Sequence, residues 1–210
     1  MNKKELNNLI RTELTVCLEQ EGYKFIKSQE QFTLKNAKFE NTITYNILDY
    51  NPEFVVEFFI EIRNEDVENI ANIFSTSNPN SFKYSPTIIV CLPYFTGKPT
   101  EFKVFKESDI KNMFNSFFTP FYLEKIKPFF VEYSQIEKLS ELVNNSVNNE
   151  ILGVPVNIKT YQRSIILLKL TKNSDFEKSY KILNEKINNF PENDKIMFEN
   201  TYNYLKSLQI

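Results

Sequence analysis

Apolar positions in the first twenty residues recur every three or four places. Leu6, Leu9, Ile10, Leu14, Cys17 and Leu18 share one stripe, which predicts an amphipathic helix closed by Gly22. The period then shortens to two. Residues 23–26 and 31–35 read as a pair of short strands, and Ile43, Tyr45 and Ile47 share one face of a third. The clearest alternation runs over 54–63. Phe54, Val56, Phe58, Ile60 and Ile62 point one way, and Val55, Glu57, Phe59, Glu61 and Arg63 the other. One wholly apolar face and one mixed face predict a sheet packed against helices from a single side.

Asn64 is placed to N-cap a helix carrying Val67, Ile70, Ala71 and Phe74 on one stripe. Residues 75–86, rich in Ser, Asn and Pro, read as a surface loop. The apolar run 87–92 suits a central strand, Pro93, Gly97 and Pro99 mark a turn, and 102–106 reads as a further strand. From residue 108 the period is helical. Ser108 is expected to cap a helix with Ile110, Met113, Phe114, Phe117, Phe118 and Phe121 on one side, kinked or interrupted at Pro120. Ser134 with Glu137, and Ser174 with Glu177, read as capping boxes that open two more helices. Residues 144–150 form a polar break, followed by an extended stretch to 158. The run 161–170 is too short and too apolar for its period to separate helix from strand, and helix is the preferred reading. Pro191 opens a last helix with Phe198, Tyr202 and Leu205 on one side.

Helix, several strands, then many helices predict an α+β fold: an antiparallel sheet of five to six strands backed by helices, with a mostly helical C-terminal portion. One domain is expected over 1–210, with its weakest internal boundary near residue 148, between a sheet-and-helix part and a helical part.

Composition excludes more than it adds. The 210 residues are 41% hydrophobic and 15% aromatic, enough for a core, and include no histidine, no tryptophan and three isolated glycines. Without histidine there is no Ser-His-Asp triad, no Cys-His pair and no imidazole ligand. Gly22, Gly97 and Gly153 make neither a P-loop nor a dinucleotide-binding turn, and two distant cysteines cannot build a Cys₄ zinc site. No cofactor is therefore expected.

The net charge is -2, with 25 basic and 27 acidic groups, so no whole-molecule field gathers nucleic acid or an anionic membrane. The densest apolar window, 54–62, is broken by charges and short of a membrane span. The start leads into a charged helix rather than a signal peptide. Cys17 and Cys91 sit in apolar surroundings; a disulfide between them stays open, but buried thiols suit a reducing cytoplasm better, and the expected location is cytoplasmic.

What chemistry remains is that of carboxylates. Asp49, Glu53, Glu57, Glu61, Glu65, Asp66 and Glu68 face a single base, Arg63, within twenty residues. Glu57 and Glu61 share a strand face four residues apart, about 13 Å at ~3.3 Å per residue. That is too wide for a glycosidase pair, which needs roughly 5 or 6.5–9.5 Å. No calcium-loop spacing is present. The ordinary explanation is a solvated strand face followed by acids in a helix's first turn, where the macrodipole favours anions. The functional alternative is a protein-binding face. Pro191-Glu192-Asn193-Asp194-Lys195 looks superficially like a nuclease signature but opens a helix, where proline and acids belong. The phenylalanines of 114–130 read as core, since no basic groove accompanies them. Tyr84 and Tyr94 flank loops and are candidate interface anchors, against the ordinary reading of a small satellite core.

The N-terminal helix followed by Glu21-Gly22-Tyr23-Lys24-Phe25 and alternating strands resembles a group of small uncharacterised bacterial α+β proteins close in kind to immunity proteins, which neutralise toxins of competing bacteria. So does the run 109–130 with its Pro128-Phe129-Phe130, and so does 163–170. The resemblance implies an α+β fold and a binding role, and it transfers no catalytic residue.

The leading expectation is a non-catalytic protein-binding module. Glu57, Glu61, Glu65 and Asp66 would meet a basic, toxin-like partner, with Tyr84 and Tyr94 supplying central contacts. Nucleic-acid and membrane partners are not expected. The alternatives are a carboxylate enzyme, with or without a divalent metal, and an adaptor acting through its C-terminal helices.

Overall fold

The computed structural model describes residues 1–75 and 83–209. It is α+β. Helix α1 (Lys3–Leu18) opens at Asn2, whose side chain accepts from the Glu5 amide while the Glu5 carboxylate accepts from the Asn2 amide. A 3₁₀ turn over Glu19–Glu21 ends at Gly22, whose φ of +88° is the left-handed closure that the sequence requires.

Strands β1 (Lys24–Ile26), β2 (Gln31–Asn36), β3 (Phe39–Asp49) and β4 (Phe54–Asn64) follow as an antiparallel meander. Beyond β4 the sheet divides. β5 (Ile88–Cys91) pairs with residues 59–62 of β4, while β6 (Phe102–Val104) pairs with 54–56. Residues 57 and 58 of β4 lie between the two pairings. The run 87–92 is thus not a central strand. It is four residues long because Leu92 and Pro93 open the short helix α3 (Leu92–Thr96), which Gly97 closes at φ +68°. It sits at the margin, where the Cys91 amide donates to the Gly153 carbonyl at 2.7 Å.

The two faces of β4 divide as the alternation dictates. Val56, Phe58, Ile60 and Ile62 are essentially inaccessible to solvent. Leu6, Ile10, Leu14 and Leu18 of α1 join them in one core cluster. Phe58 is its hub, with ring contacts to Tyr45, Phe102, Phe114 and Phe118. The opposite face is left to solvent in part: Thr33, Thr44, Glu57, Phe59, Glu61 and Cys91 are half-buried, and Lys35, Asn46 and Lys103 exposed.

Residues 107–133 form one continuous helical rod, α4, in which neither Pro120 nor Pro128 causes a break. A proline collides with the carbonyl four residues earlier. For Pro120 and Pro128 these belong to Ser116 and Glu124, and both lie in π-helical segments, Phe114–Phe118 and Tyr122–Ile126. The wider π turn makes the room. The rod starts at Glu107, not at a Ser108 cap; the Asp109 carboxylate accepts from the Phe105 and Lys106 amides instead.

Helix α5 (Ile136–Asn148) runs through most of the stretch read as a polar break, because asparagine side chains bond carbonyls one turn back, Asn144 to Ser140 and Asn148 to Asn144. Neither serine capping box forms. The Ser134 hydroxyl serves buried Asn41 at 3.2 Å, and the Glu177 carboxylate takes the Tyr202 hydroxyl. Helix α6 (Ile158–Leu170) is capped by Asn157, and residues 162–168 are all buried. It earns that pattern by lying against α2 (Glu65–Ile73), α5, α7 (Phe176–Lys186) and α8 (Glu192–Ser207) at once. Among the described residues no helix is long and apolar enough to cross a membrane. Most of the loop expected over 75–86 falls on 76–82, outside the described residues.

Candidate functional site

The acids of 49–68 do not form one wall. Glu53 pairs with Lys103 at 3.2 Å and Asp66 with Lys38 at 2.7 Å. Asp49 accepts from the Asn51 amide at the β3–β4 turn. Glu65 is exposed at the start of α2. Glu68 faces inward, wholly buried, and its carboxylate takes Nε and Nη2 of Arg163 at 2.7 and 2.6 Å. The alternation of an extended strand, followed by the 100° turn of a helix, sends consecutive acids in different directions.

Glu57 and Glu61 remain together on the outer face of β4, with Phe59 between them. Their cross-strand neighbours on β3 are neutral: Asn46 opposite Glu57, Thr42 opposite Glu61. A further polar pair, the Thr33 and Thr42 hydroxyls at 3.2 Å, extends the neutral field across β2. Among the described residues, no lysine or arginine forms an ion pair with either carboxylate. Arg63 is the nearest cation along the strand face, and its Nε is buried without a hydrogen-bond partner among those residues.

Burial raises the Glu61 carboxyl to about 7, with the Thr44 hydroxyl at 3.4 Å pulling weakly the other way. The Cys91 thiol is also raised, first by burial and then by the fields of Glu57 and Glu61. Register explains this: Cys91 stands opposite Phe59, flanked diagonally by the two acids. The thiol is half-buried and free, as is Cys17, and neither is activated as a nucleophile.

Where β5 and β6 part, the outer face sinks into a cleft of about 400 Å³. Glu57 and Cys91 line it from the sheet. Leu92 and Pro93 come from the start of α3, Thr100 from the turn before β6, and Gly153–Pro155 from the segment between α5 and α6. Gly153 holds that segment close. Its φ is +79°, and an added Cβ would lie 2.3 Å from the Tyr94 amide nitrogen. A larger groove of about 740 Å³ lies on the other side of this segment, but its lysine, Lys186, is spent on the Val147 carbonyl at the end of α5.

Neither tyrosine lines this cleft. Tyr94 packs edge-on against Phe95 and Phe129 and shares a hydrogen bond with Tyr133, the satellite-core arrangement. Tyr84 is half-buried, with Lys83 over its ring at 5.6 Å. Among the described residues no group of three His, Cys, Asp or Glu is arranged to hold a metal ion.

Two relationships escape a strand-by-strand reading. Cys91 meets Glu57 and Glu61 only through sheet pairing, which local pattern does not specify. Glu68 meets Arg163 across 95 positions of sequence. Signals for the second exist: Glu68 lies on the stripe of Asn64 and Ala71, and Arg163 interrupts an apolar run, where a cation needs a buried partner. In comparison with known proteins, no family model, no curated protein and no solved structure matches the chain.

Proposed function

We propose that this chain is a non-catalytic protein-binding module whose outer sheet face receives a basic, toxin-like protein, in the manner of an immunity protein. The observation that carries this reading is the pair Glu57 and Glu61, two carboxylates on a partly solvent-facing sheet, with neutral side chains opposite them on β3 and not ion-paired among the described residues. A partner's lysines or arginines would relieve what burial makes costly, the charge on Glu61. Glu65 extends the field at the start of α2, while Asp66, held by Lys38, contributes least. The carboxylate-enzyme reading has one supporting feature, the raised Glu61 carboxyl, and among the described residues no group of three acids or cysteines converges beside it.

The test is affinity capture from the native cell, followed by titration of the captured protein against Glu57→Lys and Glu61→Lys. A basic partner whose affinity falls at least about tenfold in either variant supports the proposal. A partner that binds both variants as well as the parent chain overturns it.

A further inference from the structure

The cleft between β5 and β6 combines two features that a flat acidic strand face lacks. Its walls are apolar, from Phe59, Leu92, Pro93, Val154 and Pro155, and its sheet side carries the Glu57 carboxylate. At about 400 Å³ it has room for one long side chain. A lysine or arginine has the matching anatomy, a methylene stem that prefers apolar contact and a cationic head that seeks a carboxylate. A neutral apolar chain would leave the Glu57 charge desolvated, and an anionic one would add repulsion from Glu57 and Glu61 together.

We infer that this cleft is an anchor pocket for one lysine or arginine side chain of the partner, stem between Pro93 and Pro155 and head on Glu57. The inference rests on the proposed binding of a basic protein and names where its central cation goes. Glu61, outside the cleft and a strand repeat of two residues beyond Phe59, would meet a second cation.

Cys91 lines the cleft and serves as a native reporter. The experiment uses the full chain with Cys17→Ser, so that a single thiol remains. Its labelling rate is measured with 2-aminoethyl methanethiosulfonate, which is cationic, and 2-sulfonatoethyl methanethiosulfonate, which is anionic, each normalised to free cysteine. The expected result is at least about a tenfold preference for the cation, the scale of counter-ion enrichment in a low-dielectric acidic cleft. Glu57→Gln should remove most of it. n-Butylammonium, which copies the lysine side chain, should slow labelling of the parent and leave Glu57→Gln unaffected, while sodium butyrate at equal concentration protects neither. Equal normalised rates, a preference that survives Glu57→Gln, or equal protection by butyrate would each overturn the pocket. Because this readout needs no partner, it separates the two proposals. A cation-selective cleft with no basic partner fails the function and spares the pocket. A basic partner that depends on Glu61 but not on Glu57 fails the pocket and spares the function.

Discussion

Glu68 and Arg163 meet face to face in the interior, the carboxylate of one taking two guanidinium hydrogens of the other while the Thr87 hydroxyl supplies a third bond at 2.9 Å. Thr87 in turn accepts from the Asn64 amide, and Arg163 Nη1 donates to the Lys159 carbonyl. The pair therefore pins α2, the entry to β5 and α6 to one another. Removing one member strands a buried charge. We expect Glu68→Ala to cost about 3–5 kcal/mol, and the double variant Glu68→Leu with Arg163→Met to recover most of that loss. Urea denaturation of the parent, the single and the double variant checks this. A single variant as stable as the parent would refute the pinning role.

Glu61 gives stability an unusual dependence on pH. Its carboxyl is raised from 4.5 to about 7 in the fold, so the folded chain holds the proton more tightly than the unfolded one. The sign follows: this site favours folding fully below about 4.5, and that advantage is lost as pH rises toward 7, by an amount on the order of 3 kcal/mol at most. Glu61→Gln, which mimics the neutral form, should stabilise the chain at pH 8 and change little at pH 4.5. Chemical denaturation at the two pH values decides it; equal effects at both would show that Glu61 titrates normally.

At Gly153 both conformation and space exclude a side chain. The backbone lies at φ +79°, and the position of a Cβ is occupied by the Tyr94 amide and the Cys91 carbonyl. Gly153→Ala is expected to cost at least about 2 kcal/mol, from left-handed strain and displaced backbone together. The same substitution should disturb the wall of the cleft and thus change the labelling rate of Cys91. An alanine variant with parental stability would mean that the segment 151–157 is free to shift.

Helix caps supply a contrast between pattern and structure. Asn157 accepts from the Lys159 and Thr160 amides, so Asn157→Ala should cost about 1 kcal/mol. Ser174, which has the spacing of a cap, is exposed and stands one position before the N-cap residue Asp175. Ser174→Ala should stay within about 0.5 kcal/mol of the parent. Thermal melts of both variants suffice, and a larger loss at Ser174 than at Asn157 would reverse the assignment.

What could be read from the chain was whatever depends on a local period. The alternation at 54–63 placed Glu57 and Glu61 on one face, the cap at Asn64 opened α2 as expected, and the stripe of α1 ended at Gly22. The misreadings share a cause, competition between local and distant partners. Ser134 and Glu177 have the spacing of capping residues but find better partners in Asn41 and Tyr202, far along the chain. Pro120 was expected to kink or interrupt its helix, and the interruption takes the form of π segments on either side of it rather than a break in the rod. The seven acids share a short stretch of sequence without sharing a surface. Lys38, Lys103 and Arg163, each remote in sequence, claim three of them.

The division of the β4 margin between β5 and β6 also governs how this molecule meets its own copies. β4 has eleven residues, all paired with β3, while the two strands on its other edge, β5 and β6, run four and three residues. So short a border gives an incoming strand few amides to zip onto, and one of these, at Cys91, is already claimed by Gly153. Ladder extension along this margin is thereby discouraged, and association there is steered toward contacts made side chain by side chain.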